Sequence, residues 1–279
     1  MFLTLLGFDR TCHAVVITSG TLIDTNNTSY DGQNVVVSDC SVTINGQHSF
    51  NSLAVSSTGT VILGGSSVLT VSGSVAVTGS SSVVCQCANT TGTSGGVGVI
   101  INAGNVEVDA GSEITADGQG YLGGAANGSA GAGPGGGPVT TSFGNGGGYG
   151  GFGGGQGTTG TAPGGPSYDL ASATTPADPG SGGSAGIYFG ETLPGGNGGG
   201  AIEIMVTGAI VLNGTIGADG SPGGGINAGG GSGGSVYIMA ATLSGSGVFT
   251  ANGGHGNNDA GGGGKLGSHG ARLFATNRW

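Results

Sequence analysis

The sequence predicts an all-β chain wound as a right-handed parallel β-helix, a solenoid, and three observations predict it. A unit ending in Ile-x-Ala-Asp-Gly recurs. Its copies run from Val99-Ile100 to Ile114-Thr115-Ala116-Asp117-Gly118, from Ile202-Glu203-Ile204 to Ile216-Gly217-Ala218-Asp219-Gly220, and from Val236-Tyr237-Ile238 to Phe249-Thr250-Ala251-Asn252-Gly253. The last two copies lie 33 residues apart, and a fixed internal period marks one supersecondary unit stacked on itself. The apolar residues are mostly Val and Ile, whose branched Cβ favours strands. They come in short runs closed by turn pairs such as Asn45-Gly46, Thr58-Gly59 and Ser72-Gly73. Helix formers in an amphipathic period are missing.

The segments follow in order. Residues 1–14 open with an apolar run, Met1 to Phe8, that reads either as a degenerate secretory signal or as a strand capping the rod. A signal needs a basic n-region and an apolar stretch of about 7–15 residues. Here the stretch is minimal and the n-region is lacking. Residues 15–118 form the N-terminal coils. Their strands include Val35-Val36-Val37, Val42-Thr43-Ile44, Leu53-Ala54-Val55, Val61-Ile62-Leu63, Val68-Leu69-Thr70-Val71 and Val75-Ala76-Val77. Each coil adds a rung of about 4.8 Å.

Residues 119–200 interrupt the repeat with Gly-rich sequence such as Gly146-Gly147-Gly148-Tyr149-Gly150-Gly151-Phe152. Glycine accounts for 71 of the 279 residues. A flexible linker is one reading. The preferred reading is packed polyglycine II, extended threefold chains that approach closely because side chains are absent. Tyr149, Phe152, Tyr168, Tyr188 and Phe189 would then seal the bundle. Residues 201–279 resume the coils, with Gly-rich spacers at 222–234 and 253–264. Arg272-Leu273-Phe274-Ala275 reads as the last inward strand, and Trp279 is expected to pack on the final rung or on a neighbouring subunit.

Charge narrows the function classes. The net charge is −10, and the fixed cations are Arg10, Lys265, Arg272 and Arg278. Nucleic-acid binding needs Lys and Arg to displace counterions from phosphates, and anionic membrane surfaces need the same. Neither partner fits this chain. No stretch approaches the roughly 20 apolar residues of a membrane-spanning helix, so membrane insertion is not expected.

Val42-Thr43-Ile44-Asn45-Gly46, then Phe50-Asn51-Ser52-Leu53, then the Gly-rich stretch with Pro176-Ala177-Asp178-Pro179-Gly180-Ser181-Gly182-Gly183 form a distinctive order. Gly198-Gly199-Gly200-Ala201-Ile202-Glu203-Ile204 and Gly229-Gly230-Gly231-Ser232-Gly233-Gly234-Ser235-Val236 extend it, over roughly residues 35–275. The chain resembles the glycine-rich parallel β-helix repeat proteins of secreted bacterial, or viral, surface and matrix type. That resemblance implies a surface or matrix location and carries over no catalytic residues. Members are mostly long and modular, whereas this chain has one repeat set, which implies a subunit assembled end to end.

Glu107 and Asp109 share a strand face, and Glu203 falls on a neighbouring rung. Polysaccharide lyases and hydrolases on this fold need paired carboxylates or a metal with a base, and no Lys or Arg lies near these residues in sequence. Asp117, Asp219 and Asn252 are the repeated turn residues, suited to positive φ and local hydrogen bonds. Stacked as a ladder, Asp117 and Asp219 are the weak calcium candidates. No other cofactor is expected.

Cys40, Cys85 and Cys87 are disulfide candidates, Cys40 with Cys85 or Cys87, which would close a loop of about 45 residues. Free buried thiols are the alternative. Asn26, Asn27, Asn89, Asn127 and Asn213 begin N-x-Ser/Thr sequons. Tyr149, Phe152 and Trp279 are candidates for contacts between molecules. His255 and His269 read as loop residues. The G-x-G-x-x-G matches follow from composition alone and carry no weight.

The functional expectation is a non-catalytic structural protein, a homo-oligomeric subunit of an extracellular filament or surface layer. The alternative is an adhesin or receptor-binding fibre module that recognises glycans through exposed aromatics at a cell or virion surface. A polysaccharide-active enzyme ranks lower.

Overall fold

In the computed structural model, residues 14–125, 128–139, 143–155, 163–168, 176–256 and 271–275 are described. The solenoid strands fall into two parallel sheets, and passes of the chain add rungs to both. The first coil contains β1 (Val15–Ile17) and β2 (Thr21–Ile23). The second contains β3 (Asn34–Ser38) and β4 (Ser41–Ile44). The third contains β5 (Gln47–Phe50), β6 (Ser52–Ser56) and β7 (Thr60–Leu63). Then come β8 (Val68–Val77) with β9 (Ser82–Cys85), and β10 (Val99–Val108) with β11 (Glu113–Thr115).

The glycine-rich stretch carries a hairpin of β12 (Gly186–Tyr188) and β13 (Glu191–Leu193). Stacking then resumes with β14 (Ala201–Val206), β15 (Ala209–Leu212) and β16 (Thr215–Gly217). The following coil has β17 (Ser235–Ala240), β18 (Thr242–Ser244) and β19 (Val248–Thr250), and β20 (Ala271–Ala275) adds to β17. The larger sheet runs β1-β3-β6-β8-β10-β14-β17-β20 and the smaller runs β19-β16-β11-β9-β7-β4-β2. The expected all-β chain with long parallel sheets is what the structure contains.

One column shows how the coils register. Val15, Val35, Leu53, Val75, Val106, Ile210 and Leu243 are successive Cα partners, 20, 18, 22, 31, 104 and 33 residues apart. The three copies of the sequence repeat stack on one another, with Ile114 under Ile216 and Ile216 under Phe249. Alternate residues face inward, as period-two strands dictate. Val35, Val37, Leu53, Val55, Ile101, Ile114, Ile204, Ile216 and Ile238 are all buried in one continuous core. Each such side chain contributes about 1.5–3 kcal/mol by leaving water.

A polar intruder, His48, is buried opposite Leu69. Its Nδ1 lies 3.2 Å from Asp31 Oδ1 and its Nε2 lies 3.2 Å from the Asn45 carbonyl oxygen. Asp31 Oδ1 also accepts from Ser49 N, so the pair ties β5 to the preceding turn.

The 104-residue step is the glycine-rich excursion, which leaves after β11 and returns at β14. Apart from the β12–β13 hairpin and the Val139–Gly144 bridge, its described backbone does not pair as sheet. Gly195 and Gly198 donate to Gly124 and Tyr121, whereas Gly196 and Gly199 donate to Gly229 and Ser232. Residues three apart thus reach the same neighbour, and adjacent residues reach different ones. The same step of three relates Gly231→Ser221 to Gly234→Ala218. That is the pattern a threefold extended chain makes, because successive N–H groups point about 120° apart.

Residues 218–221, 229–234 and 251–254 join this bundle, so it extends beyond residues 119–200. The spacers that separate the C-terminal coils are part of the head. A Cβ on Gly123, Gly131, Gly182, Gly195, Gly198 or Gly231 would overlap the backbone carbonyl of an adjacent chain. Serines stand in where a hydroxyl can replace a lost partner. Ser181 Oγ accepts from Gly135 N, Ser232 Oγ from Ser181 N, and Ser184 Oγ from Asn145 N.

Candidate functional site

The residues singled out by sequence fall into different settings. Tyr149 is buried, 2% exposed, with its hydroxyl 2.8 Å from Ser235 Oγ and its ring edge-on to Tyr168 at 4.9 Å. Tyr149 and Tyr168 therefore seal the seam between bundle and solenoid, and Tyr149 presents no surface for a contact between molecules. Burial pushes the pKa of Tyr168 up. Phe152, Tyr188 and Phe189 do not seal the bundle, being 65%, 40% and 91% exposed. Trp279, Asn127, His269 and residues 1–13 lie outside the described residues.

The expected disulfide is not formed: Cys40, Cys85 and Cys87 are free thiols. Cys85 points into the core, Cys40 donates Sγ to the Ile17 carbonyl, and Cys87 Sγ accepts from Ala201 N. Burial raises the Cys85 pKa and pushes that of Cys87 up to about 11. Both are thus protonated near neutrality and poor nucleophiles or metal ligands. Of the sequon residues, Asn26, Asn89 and Asn213 are exposed. Asn27 is half-buried and accepts from Ser29 N through its side chain.

Asp117 and Asp219 do stack as a ladder, but each uses a carboxylate oxygen on the next rung. Asp117 Oδ1 accepts from Asp219 N at 2.6 Å, and Asp219 Oδ1 accepts from Asn252 N at 2.5 Å. This ladder clamps the point where three coils enter the head. No group of three His, Cys, Asp or Glu able to hold a metal occurs among the described residues.

Desolvation, with a smaller repulsion from Asp219, raises the pKa of Asp117. The folded state then holds that proton more tightly than the unfolded chain, so stability falls as pH rises from the ordinary carboxylate range through the raised value. Asp117→Asn keeps the Oδ1 acceptor and removes the charge. It is expected to raise the urea midpoint at pH 7, and the gain should vanish at low pH where the wild-type carboxyl is protonated. A lower midpoint at pH 7 would show that the ionised carboxylate is needed.

Glu107 and Glu203 sit on adjacent rungs, as expected, yet do not face each other. The rung partners of Glu107 are Ala76 and Val211, and those of Glu203 are Ile100 and Tyr237. Along β10 the two positions are seven residues apart, about 23 Å at 3.3 Å per residue. A trench of about 980 Å³ follows the bend of the larger sheet past Thr70, Asn102, Met205 and Met239, with no charged side chain among the described residues that line it.

The apex of the glycine-rich head gathers chemistry that the sequence did not reveal. Chains leave the solenoid at Asp117 and Asp219, and their paired hydrogen bonds run outward to Gly124, Ala185, Gly195 and Gly229. Three loops meet there. One is the β12–β13 hairpin, the second is residues 222–228, and the third carries the antiparallel bridge between Val139 and Gly144. Asn227 joins them. It is 7% exposed, its Nδ2 donates to the Ile187 carbonyl at 3.0 Å, and its own carbonyl accepts from Gly144 N. Its φ of +66° is one that Asn tolerates better than most residues.

Around this buried knot the loops expose apolar side chains: Val139, Tyr188, Phe189 and Ile226. The hairpin turn has Phe189 at φ +47° and Gly190 at φ +84°. Positive φ at both central residues is what a type I′ turn needs, and Asn-Gly is its usual pair. A phenylalanine there is strained, and such strain concentrates at functional positions. The Tyr188 and Phe189 rings contact at 4.4 Å with planes 61° apart. Tyr188 is the Cα partner of Glu191, an exposed carboxylate on the same face of the hairpin.

No family model, curated protein or solved structure matches the chain.

Proposed function

We propose that the chain is a non-catalytic recognition protein of a cell or virion surface, in which the solenoid is a rigid mount and the glycine-rich head displays its apical loops to a partner. The observation that carries this reading is Phe189, an almost fully exposed aromatic held at positive φ on a turn that would be less strained with Asn or Gly. Exposed aromatics on rigid supports are the anchors that contribute most to recognition. The right-handed winding of the coils and the polyglycine II character of the head belong to this reading, as do kinship with glycine-rich β-helix surface proteins and an extracellular location. The exposed sequon residues Asn26, Asn89 and Asn213 support that location. Glycans are the proposed partner class.

The test uses immobilised glycan panels and the whole chain. Phe189→Gly is expected to abolish capture while leaving stability unchanged or raising it by up to about 1 kcal/mol, since glycine relieves the strained φ. Phe152→Ser should leave capture intact. Capture that survives Phe189→Gly would sink the reading.

A second reading, subunit of a filament assembled by solenoid stacking, is favoured by one observation. Among the described residues β1 and β2 are paired on one side only, and such edges invite head-to-tail addition. Sedimentation that grows with concentration would support it, and a monomer at high concentration would remove it.

A further inference from the structure

We propose that the β12–β13 hairpin binds a quaternary ammonium group, with Phe189 and Tyr188 as two walls and Glu191 as the counter-charge. This rests on the reading of the apex as the contact surface and names the chemistry it recognises. Cations are drawn to aromatic ring faces by the ring quadrupole, and two inclined rings can serve one cation together. The rings of Tyr188 and Phe189 are inclined at 61° with centroids 4.4 Å apart, so a methylated ammonium in their notch lies within reach of both.

The hairpin register places Glu191 opposite Tyr188. Cross-strand Cβ atoms in such pairs are about 4.5–5.5 Å apart, so a carboxylate flanks the notch. Charge favours the same ligand. The chain carries −10, and the described apical loops contribute Glu191 and no Lys or Arg to oppose a cation. Among the described residues the Phe189 ring packs on Tyr188 and is otherwise 91% exposed, so its outer face is available. A bare ammonium is more strongly hydrated and would lose more on leaving water, which selects the methylated form.

Choline is the probe. Titrated into the whole chain, it is expected to shift the Tyr188 and Phe189 ring resonances with a dissociation constant on the order of 1–10 mM, the range open to an exposed site of this kind. Phe189→Gly and Glu191→Gln should each weaken binding at least about threefold. The neutral isostere 3,3-dimethylbutan-1-ol should bind more weakly than choline, and added salt should weaken only choline. Equal binding of the neutral alcohol would overturn the assignment, because burial alone would then explain it.

Phosphatidylcholine vesicles and a soluble choline-bearing polymer distinguish a lipid headgroup from a decorated glycan, and retention on either supports the site. Ring resonances unmoved by choline overturn the cation assignment alone if glycan capture is still lost on Phe189→Gly. If capture also survives that substitution, the apex reading falls with it.

Discussion

Gly198→Ala is expected to abolish folding of the glycine-rich head, or to cost at least about 3 kcal/mol where the chain still folds. Gly198 donates its N–H to the Tyr121 carbonyl, and its own carbonyl accepts from Gly120. A Cβ at that position would overlap the carbonyl group of Gly180. Ordinary overpacking costs about 1–3 kcal/mol because side chains can yield. Here the obstacle is backbone, fixed on both sides by hydrogen bonds to further chains, so relaxation must break several of them at once. Gly20 is the matched control, because a Cβ there approaches only the Ser41 carbonyl oxygen, at 3.8 Å. Urea unfolding of the two variants checks the contrast. Similar midpoints for Gly198→Ala and Gly20→Ala would mean that the head tolerates side chains and is not close-packed.

The solenoid was legible because its signals are local. Alternating Val and Ile with Asn-Gly and Asp-Gly turns specify short strands without knowledge of their partners, and the two Ile-x-Ala-Asp-Gly copies and the related Phe249–Gly253 copy stack as the repeat implied. Coil length was not legible. Steps of 18 to 104 residues separate members of one column, since a lateral excursion leaves no periodic trace on the rungs it joins. Glycine content announced close backbone packing but could not say which chains touch. Residues 218–221 and 229–234 belong to the head through hydrogen bonds to residues far away in sequence.

The aromatics show the same limit. Tyr149 and Phe189 both sit beside glycines, yet one is buried and the other lies at an apex. A faint signal for the second existed in Ile187-Tyr188-Phe189-Gly190-Glu191-Thr192-Leu193, two short strand-like runs around a pair ending in Gly. Phenylalanine in the place where Asn or Asp normally marks a type I′ turn concealed it. The cysteines misled for a related reason. Even count and spacing say nothing of direction, and Cys85 points into the core while Cys40 faces the Ile17 carbonyl.

Ile204→Ala is expected to cost about 2–5 kcal/mol, the range for emptying a buried aliphatic site. Ile204 is fully buried, on the first rung after the head, with Ile101 beneath it and Ile238 above. Those neighbours are fixed by their own ladders, so they cannot collapse into the space and the cavity term should be near its full value. Ile204→Val, which removes one methylene, should cost about 0.5–1.5 kcal/mol.

The position makes the loss informative beyond its size. Stacked repeats are stabilised by their intrinsic terms and by nearest-neighbour interfaces, and β14 forms the interface between β10 and β17. Weakening it should lower hydrogen-exchange protection in β14 and β17 more than in β3 and β6. Because residues 218–221 and 229–234 connect the C-terminal coils and are hydrogen-bonded within the head, the head's amides should lose protection together with β14. Uniform loss across β3, β6, β14 and β17 would instead show that solenoid and head unfold as one cooperative unit, with the head transmitting no separate constraint to the coils that carry it.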